Sequence, residues 1–225
     1  MKLINHTDIG GLILAGGQSR RFNFRNKGLV AFKHKPMVAH VIERIGPQVG
    51  HLAVSCNTNI DQYSTICDQY RSLLGANQTW GTCLADSASS KLNGPLAGIE
   101  QHMKGLQPLY WFICSCDMPL IPKDIVSVLT QAMVKYERQA CHIIDDQGHH
   151  QLAIIAEGKH AKAALSECSS IQAKGQNTTP GGKKDSIKHW LTQMGSLGVR
   201  FSGPVEQLAS INTPQELSFI ETTNR

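Results

Sequence analysis

The first apolar run of the chain, I-G-G-L-I-L-A at residues 9–15, leads directly into Gly16 and Gly17. A short, continuously apolar segment that stops at glycines is typical of a strand buried in a parallel sheet as it enters a tight turn. Such a strand is covered by helices on both faces, so helices and strands should alternate along the chain. The run therefore predicts the first strand of an α/β sheet.

The rest of the chain follows this alternation. Apolar runs predict further strands over residues 51–56, 80–85, 110–116, 140–144, 151–155 and 199–201. Helical spacing of apolar residues predicts helices that begin at Pro36 and Pro122, that span residues 60–70, 94–106, 160–168 and 187–194, and that follow Thr213. We expect a Rossmann-like, three-layer α/β/α fold with a mostly parallel mixed central sheet.

Two local patterns add detail to this prediction. Thr213, Pro214 and Glu216 have the order of a capping box with proline at the first helical position, which predicts a helix start. The segment at residues 172–184 is polar and rich in glycine, so we expect a disordered loop or a lid there.

Composition limits the class of protein. Of 225 residues, 41% are apolar and 17% are charged, which is ordinary for a globular chain, and we expect a single domain over residues 1–225. No run approaches the roughly eighteen apolar residues of a membrane helix, and the N-terminus lacks the apolar stretch of a signal peptide. The sequence therefore predicts a soluble, cytoplasmic protein without a membrane partner.

The cysteines point to packing rather than chemistry. There are seven, with no C-x-x-C spacing that would suggest a zinc site or a redox pair. Cys114 and Cys116 alternate with other residues of an apolar run, so on a strand they share one face. We expect reduced and mostly buried thiols.

Positive charge is concentrated in one short segment. The chain has a formal net charge of +5, and Arg20, Arg21, Arg25 and Lys27 crowd together just after the glycines. A nucleic-acid surface would more often show a longer basic stripe or interleaved aromatic residues, and neither is present. The cluster therefore predicts a phosphate ligand and no nucleic-acid partner.

The segment at residues 14–27 combines a strand end, two glycines, basic residues and a final lysine. Glycines let several backbone N–H groups approach a phosphate, while arginine and lysine neutralise its charge. The segment matches neither the G-x-x-x-x-G-K-[ST] pattern of P-loop enzymes nor the G-x-G-x-x-G dinucleotide fingerprint. We interpret it as a polyphosphate-binding loop of another kind.

A second candidate follows the predicted strand at residues 110–116. Asp117, Met118 and Pro119 stand at its carboxyl end, where ligands of open α/β sheets gather. A carboxylate there can bind Mg²⁺, which usually keeps several waters and bridges to substrate phosphates. Asp117 is therefore the predicted metal ligand, although by itself a turn aspartate is the commoner interpretation.

In this order the motifs resemble the molybdenum cofactor guanylyltransferases, along nearly the whole chain. The matching segments are L-A-G-G-x-S-x-R…K, then G-P-L-A-G from Gly94, then C-D-M-P-L-I-P from Cys116, then N-T-P from Asn212. Enzymes of that family transfer GMP from GTP to the terminal phosphate of Mo-molybdopterin, producing molybdopterin guanine dinucleotide and pyrophosphate. The resemblance implies a nucleotidyltransferase fold, Mg²⁺ as cofactor, and molybdoenzymes or their chaperones as recipients of the product.

The resemblance also implies roles for particular residues. Arg21, Lys27 and Asp117 would be catalytic, Asp117 would bind both GTP and Mg²⁺, and Asn212 would lie on the cofactor side. The residues that would bind GTP are Leu14, Ala15, Gly16, Gly17, Lys27, Asp86 and Asp117. Since the attacking phosphate oxygen is already anionic, positioning and charge neutralisation suffice and no strong general base is needed.

The chain departs from the family at several positions. The family usually has glycine at one or both of the positions of Asn23 and Phe24, and aspartate at Asn26. It also has asparagine at the positions of Ser55 and Ser210, and histidine followed by proline where this chain has His150-Gln151. These changes concern catalytic efficiency and cofactor binding more than the fold.

Three alternative functions stay open. The related cytidylyltransferase typically has L-A-A-G where this chain has L-A-G-G at residues 14–17. The glycine at Gly16 favours GTP. Sugar-1-phosphate nucleotidyltransferases usually carry G-x-G-T-R in the corresponding loop, where this chain has Q-S-R-R. The alternative outside enzymology is a degenerate GTP-binding module that regulates a partner without turnover, for which Asn26 and Ser210 are the hints.

Overall fold

The structure, a computed structural model, describes residues 3–16, 26–74, 79–80, 92–105, 107–173 and 186–223. Its strands are β1 (Ile9–Leu14), β2 (Ala31–Phe32), β3 (Lys35–Pro36), β4 (His51–Ser55), β5 (Thr79–Trp80), β6 (Tyr110–Ser115), β7 (Ala140–Ile144), β8 (His150–Glu157) and β9 (Leu197–Arg200). Its helices are α1 (Met37–Ile45), α2 (Ile60–Leu74), α3 (Pro95–Gly105), α4 (Ile125–Lys135), α5 (Gly158–Ala173), α6 (Ile187–Gln193) and α7 (Pro214–Thr223).

The main sheet has the order β5-β4-β1-β6-β8-β7-β9 in the described part of the chain. Strands β5, β4, β1 and β6 pair in parallel, as do β7 and β9, whereas β8 runs antiparallel to both β6 and β7. Strands β2 and β3 form a separate antiparallel pair. The predicted mixed, mostly parallel sheet is confirmed, with β8 as the reversed strand.

Helices cover both faces of this sheet. Successive residues of β1 point to opposite faces, and Ile13 packs in a cluster with α1, α2 and α4, whereas Leu12 packs in a cluster with α3, α5 and α6. The predicted three-layer α/β/α architecture is confirmed. No helix in the described ranges is both long and apolar enough to cross a membrane.

Some element boundaries differ from the predictions. Of the strand predicted over residues 80–85, the structure describes only its first residue, as part of β5, and the remainder lies outside the described residues. Helix α5 runs on through Ala173, so the segment predicted as a loop at residues 172–184 begins with helix. Strand β8 is longer than predicted because it pairs with neighbours on both sides.

The helix start predicted at Thr213 is confirmed. Glu216 N–H donates to Thr213 Oγ1 over 3.2 Å, while Thr213 N–H donates to the Glu216 carboxylate over 3.1 Å. Both halves of the capping box are therefore present at the start of α7, a helix whose Ile220 packs with Phe32, Met37 and Ile211.

We expect Thr213→Ala to destabilise the protein by about 1 kcal/mol, because the change removes the hydroxyl that caps α7. Urea unfolding of this variant and of the parent checks the value. Thr222→Ala is a control, since among the described residues that hydroxyl bonds only to carbonyls of its own helix, near the exposed C-terminal end. An equal loss in both variants would contradict a specific capping role.

Candidate active site

The carboxyl ends of β4, β1 and β6 are aligned at one edge of the sheet. Leu14 is paired with Ser55 on one side and with Ser115 on the other. The pairing continues just beyond the strands, since Ala15 N–H donates to the Ser55 carbonyl over 2.7 Å and Cys116 N–H donates to the Leu14 carbonyl over 3.0 Å. The start of the glycine turn is therefore held beside the loop that carries Asp117.

Lys27 and Asp117 form an ion pair at this edge. The Lys27 ammonium bonds to Asp117 Oδ2 and also donates to Asn212 Oδ1 over 2.8 Å. Three residues that lie far apart in the sequence, each of them predicted as a site residue, thus meet at one point. The side chains of Lys27 and Asp117 are 17% and 12% exposed, so the pair lies partly buried but open to a ligand.

The second oxygen of Asp117 is unsatisfied. Asp117 Oδ1 is buried and has no hydrogen-bond partner in the described part of the chain. Leaving a buried carboxylate oxygen unpaired costs free energy, which a cation or donor from a ligand would recover. This oxygen fits the acceptor that Mg²⁺ prefers.

The segment around Asn212 is fixed from several directions. Ile211 N–H donates to the Asp117 carbonyl over 2.9 Å, and Asn212 N–H donates to the Glu216 carboxylate over 2.5 Å. Asn212 Nδ2 donates to the Ser210 carbonyl over 2.9 Å, which leaves Oδ1 directed to Lys27. The capping box of α7 thus holds the residue that contacts Lys27.

The turn before Lys27 is tied to the β4–α2 connection. The Tyr63 hydroxyl donates to Asn26 Oδ1 over 2.5 Å, and Asn26 Nδ2 donates to Thr58 Oγ1 over 3.1 Å. Tyr63 lies on α2 and is fully buried. These contacts were not predicted from the sequence.

Asn57 is a second residue that the sequence motifs did not indicate. A Cβ atom on Gly16 would lie 3.2 Å from the Asn57 amide group, so this side chain lies directly against the glycine turn. The signal was available in the sequence, because Asn57 follows β4 much as Gly16 follows β1, and the carboxyl ends of neighbouring parallel strands meet at one edge. The family pattern instead singles out Ser55, two residues earlier.

A family model for the MobA-like NTP transferase domain matches residues 11–180. The chain belongs to this family. Among curated relatives, the molybdenum cofactor guanylyltransferase of Ralstonia pickettii is 29% identical over 219 residues, which covers 96% of this chain and 97% of that protein. The resemblance found in the motifs is thereby confirmed, and the family is one of nucleotidyltransferases.

Solved structures agree on the fold. Molybdopterin-guanine dinucleotide biosynthesis protein A from Archaeoglobus fulgidus superposes with a TM-score of 0.67 at 18% identity, covering 96% of this chain and 98% of that one. The 4-diphosphocytidyl-2C-methyl-D-erythritol synthase of Anaerococcus prevotii superposes with a TM-score of 0.68 at 10% identity, covering 98% and 99%. The nucleotidyltransferase fold predicted from the sequence is confirmed.

Several predicted residues of this MobA-like site lie outside the described residues. They are Gly17, Arg20, Arg21, Arg25, Asp86 and residues 174–184 of the predicted lid. Leu14, Ala15 and Gly16 are described, and they stand where β1 ends beside Asn57 and Ser55. Their roles in nucleotide binding stay predictions.

The cysteines beside Asp117 pack in the core of the MobA-like domain, as predicted. Cys114 and Cys116 belong to the same buried cluster on one face of the sheet. Burial raises the pKa of the Cys116 thiol, and the nearby Asp117 carboxylate raises this pKa further. Cys116 is therefore a neutral, buried thiol that contributes to packing.

Proposed function

We propose that this protein transfers GMP from GTP to the terminal phosphate of Mo-molybdopterin, forming molybdopterin guanine dinucleotide and pyrophosphate. The observation that carries the proposal is the meeting of Lys27 and Asp117 beside the end of β1, at the carboxyl edge of the sheet. Family membership and the named function of the Ralstonia relative support the choice of nucleotide and acceptor.

In this proposal Asp117 binds Mg²⁺ together with GTP. Its buried Oδ1 lacks a partner among the described residues and can accept a cation. Its Oδ2 is paired with Lys27, whose positive charge balances the charge of the carboxylate. When bound, Mg²⁺ supplies positive charge that neutralises the phosphates of the nucleotide.

Lys27 changes partners in this scheme. Without substrate its ammonium is neutralised by Asp117 and oriented by Asn212. A triphosphate at the glycine turn competes for the same ammonium, while Arg21 binds further phosphate oxygens. The segment of Leu14, Ala15, Gly16 and Gly17 holds the nucleotide, and Asp86 contacts GTP. In this scheme Lys27 stabilises the charge that moves toward the leaving pyrophosphate.

The chemical step needs no strong base. A terminal phosphate oxygen of Mo-molybdopterin forms a bond to the α-phosphorus of GTP, and the bond from that phosphorus to the β-phosphate bridging oxygen breaks. Pyrophosphate carries away the electron pair. Positioning and charge neutralisation are the main contributions of the protein. The acceptor would lie on the side of Asn212, and the product would pass in the cytoplasm to molybdoenzymes or their chaperones.

Pyrophosphate release from GTP tests the proposal. We expect release only when GTP, Mg²⁺ and Mo-molybdopterin are all present. A degenerate GTP-binding module would bind GTP without release, and a cytidylyltransferase would release pyrophosphate faster from CTP. Release that does not depend on Mo-molybdopterin would contradict the proposed acceptor.

We expect Lys27→Ala to lower kcat/KM by roughly 10- to 150-fold, which corresponds to losing a charge-assisted hydrogen bond of about 1.5 to 3 kcal/mol. Both KM and kcat should worsen, because the contact strengthens as charge shifts toward pyrophosphate. Lys27→Arg should recover only part of the activity, since the guanidinium is a larger planar group.

Steady-state kinetics on these variants measures the effect. Lys35→Ala is a matched control, since Lys35 is about half exposed and pairs with Glu43 away from the sheet edge. A Lys27→Ala enzyme as efficient as the parent would remove Lys27 from the site.

A further inference from the structure

We infer that Asn26 is a positioning residue for Lys27, a role that goes beyond the nucleotide and metal contacts proposed above and rests on the proposed function. Its two side-chain hydrogen bonds, to Tyr63 and to Thr58, attach the backbone immediately before Lys27 to α2 and to the connection after β4. Neither Asn26 nor Tyr63 needs to touch the substrate to act in this way.

The contact with Tyr63 provides a rigid anchor. Tyr63 is fully buried in the cluster between the sheet and helices α1, α2 and α4, so its hydroxyl cannot move far. It donates to Asn26 Oδ1 over 2.5 Å, and the Tyr63 N–H is itself bonded to the Asn59 carbonyl over 3.1 Å at the start of α2. Asn26 is therefore fixed relative to the core of the protein.

Packing around Gly28 restricts the same turn from the other side. A Cβ atom on Gly28 would lie 3.1 Å from Cys116 Sγ and even closer to the Tyr63 hydroxyl. The turn from Lys27 to Leu29 is a short 3-10 helix, closed by the Leu29 N–H bond to the Asn26 carbonyl over 3.0 Å. Lys27 is thus held between an anchored Asn26 and a closely packed Gly28.

An asparagine side chain suits this position because it accepts and donates at once. Its Oδ1 accepts from Tyr63 while its Nδ2 donates to Thr58, which also brings the turn close to Asn57 and hence to Gly16. An aspartate could keep both contacts only if the Thr58 hydroxyl donated instead. The neutral amide therefore preserves the geometry of the turn without adding a negative charge next to Lys27.

The consequence for the reaction is preorganisation. When Asp117 binds a cation and the Lys27 ammonium moves to a triphosphate, the ion pair between them is given up, and the position of Lys27 then depends more on its backbone and on Asn212. With the turn fixed, less conformational entropy is lost as Lys27 engages phosphate.

Asn26→Leu and Tyr63→Phe test the inference, because each removes the anchoring bond with little change in volume. We expect each to lower kcat/KM for GTP by roughly tenfold and to weaken equilibrium GTP binding, measured by calorimetry without acceptor, by about three- to tenfold. Asn26→Asp should recover most of the loss. Tyr70→Phe is the matched control, since it removes a hydroxyl of the same helix that bonds to Glu43 over 3.0 Å instead.

A double-mutant cycle with Lys27→Ala separates positioning from general loosening of the fold. If Asn26 acts through Lys27, adding Asn26→Leu or Tyr63→Phe to Lys27→Ala should change kcat/KM and GTP affinity by less than about twofold. Full additivity in both measurements, or an equal loss in Tyr70→Phe, would overturn the inference. Absence of GMP transfer in the parent would refute the proposed function alone, since the binding cycle would still report on Asn26.

Discussion

Asp117→Asn should abolish Mg²⁺-dependent transfer. We expect turnover to fall by about two orders of magnitude or more, as is typical when a group that stabilises developing charge is removed. The substitution is nearly isosteric, but it removes the negative charge that would anchor the cation in the proposed scheme. The Ile211 bond to the Asp117 carbonyl is a backbone contact and should be unaffected, so the loop should keep its shape.

The same variant should remain folded because two effects oppose each other. Lys27 loses its ion-pair partner but keeps the bond to Asn212, while the unsatisfied charge at Asp117 Oδ1 disappears. Thermal melting and turnover should therefore be measured on the same preparation. A cooperative transition together with lost turnover supports a functional role for the carboxylate.

Asp124→Asn is a suitable control for Asp117→Asn. Asp124 is exposed at the start of α4, makes no side-chain capping bond there, and follows the Asp117 loop closely in the sequence. It should leave turnover within about twofold of the parent, as expected of an exposed surface residue. If turnover of Asp117→Asn stayed within about threefold of the parent, against an expected loss of about 10²-fold, Asp117 would not be the metal ligand.

GTP should be preferred over CTP and ATP by at least about 10²-fold in kcat/KM. A site that hydrogen-bonds one base edge leaves buried groups unpaired when another base is bound, and each unpaired group is costly. Gly16 bears on this choice, since a Cβ atom there would come within 3.2 Å of the Asn57 amide. The glycine turn is therefore closely packed at the position where the cytidylyltransferase pattern has alanine.

Competition kinetics with the three nucleotides measures this preference directly, because the ratio of kcat/KM values sets the ratio of products. Gly16→Ala is an informative companion variant, since it introduces the side chain of the cytidylyl pattern. Equal turnover with GTP and CTP in the parent would move the assignment to the cytidylyltransferase alternative.

Much of the site could be predicted because it follows from local rules. The apolar run of β1 and the glycines after it indicated a turn, and Asp117 was placed by its position at the end of β6. The start of α7 was predicted from the spacing of Thr213 and Glu216, and the structure confirms it.

The contacts that organise the site could not be predicted in the same way. Asn212 reaches Lys27 across 185 positions of sequence, which depends on how α7 packs against Phe32 and Met37. The bond from Tyr63 to Asn26 depends on the depth at which α2 packs against the sheet. Likewise, the insertion of β8 between β6 and β7 depends on long-range pairing that no local pattern specifies.

Tracing the α-phosphate of GTP tests the central claim most directly. Parent protein is incubated with Mg²⁺, Mo-molybdopterin and GTP labelled at the α-phosphate, and the products are separated. We predict that the label enters molybdopterin guanine dinucleotide in equal amount to the unlabelled pyrophosphate released. Labelled GTP that is bound but unchanged, or label that appears only in free GMP, would contradict guanylyl transfer to molybdopterin.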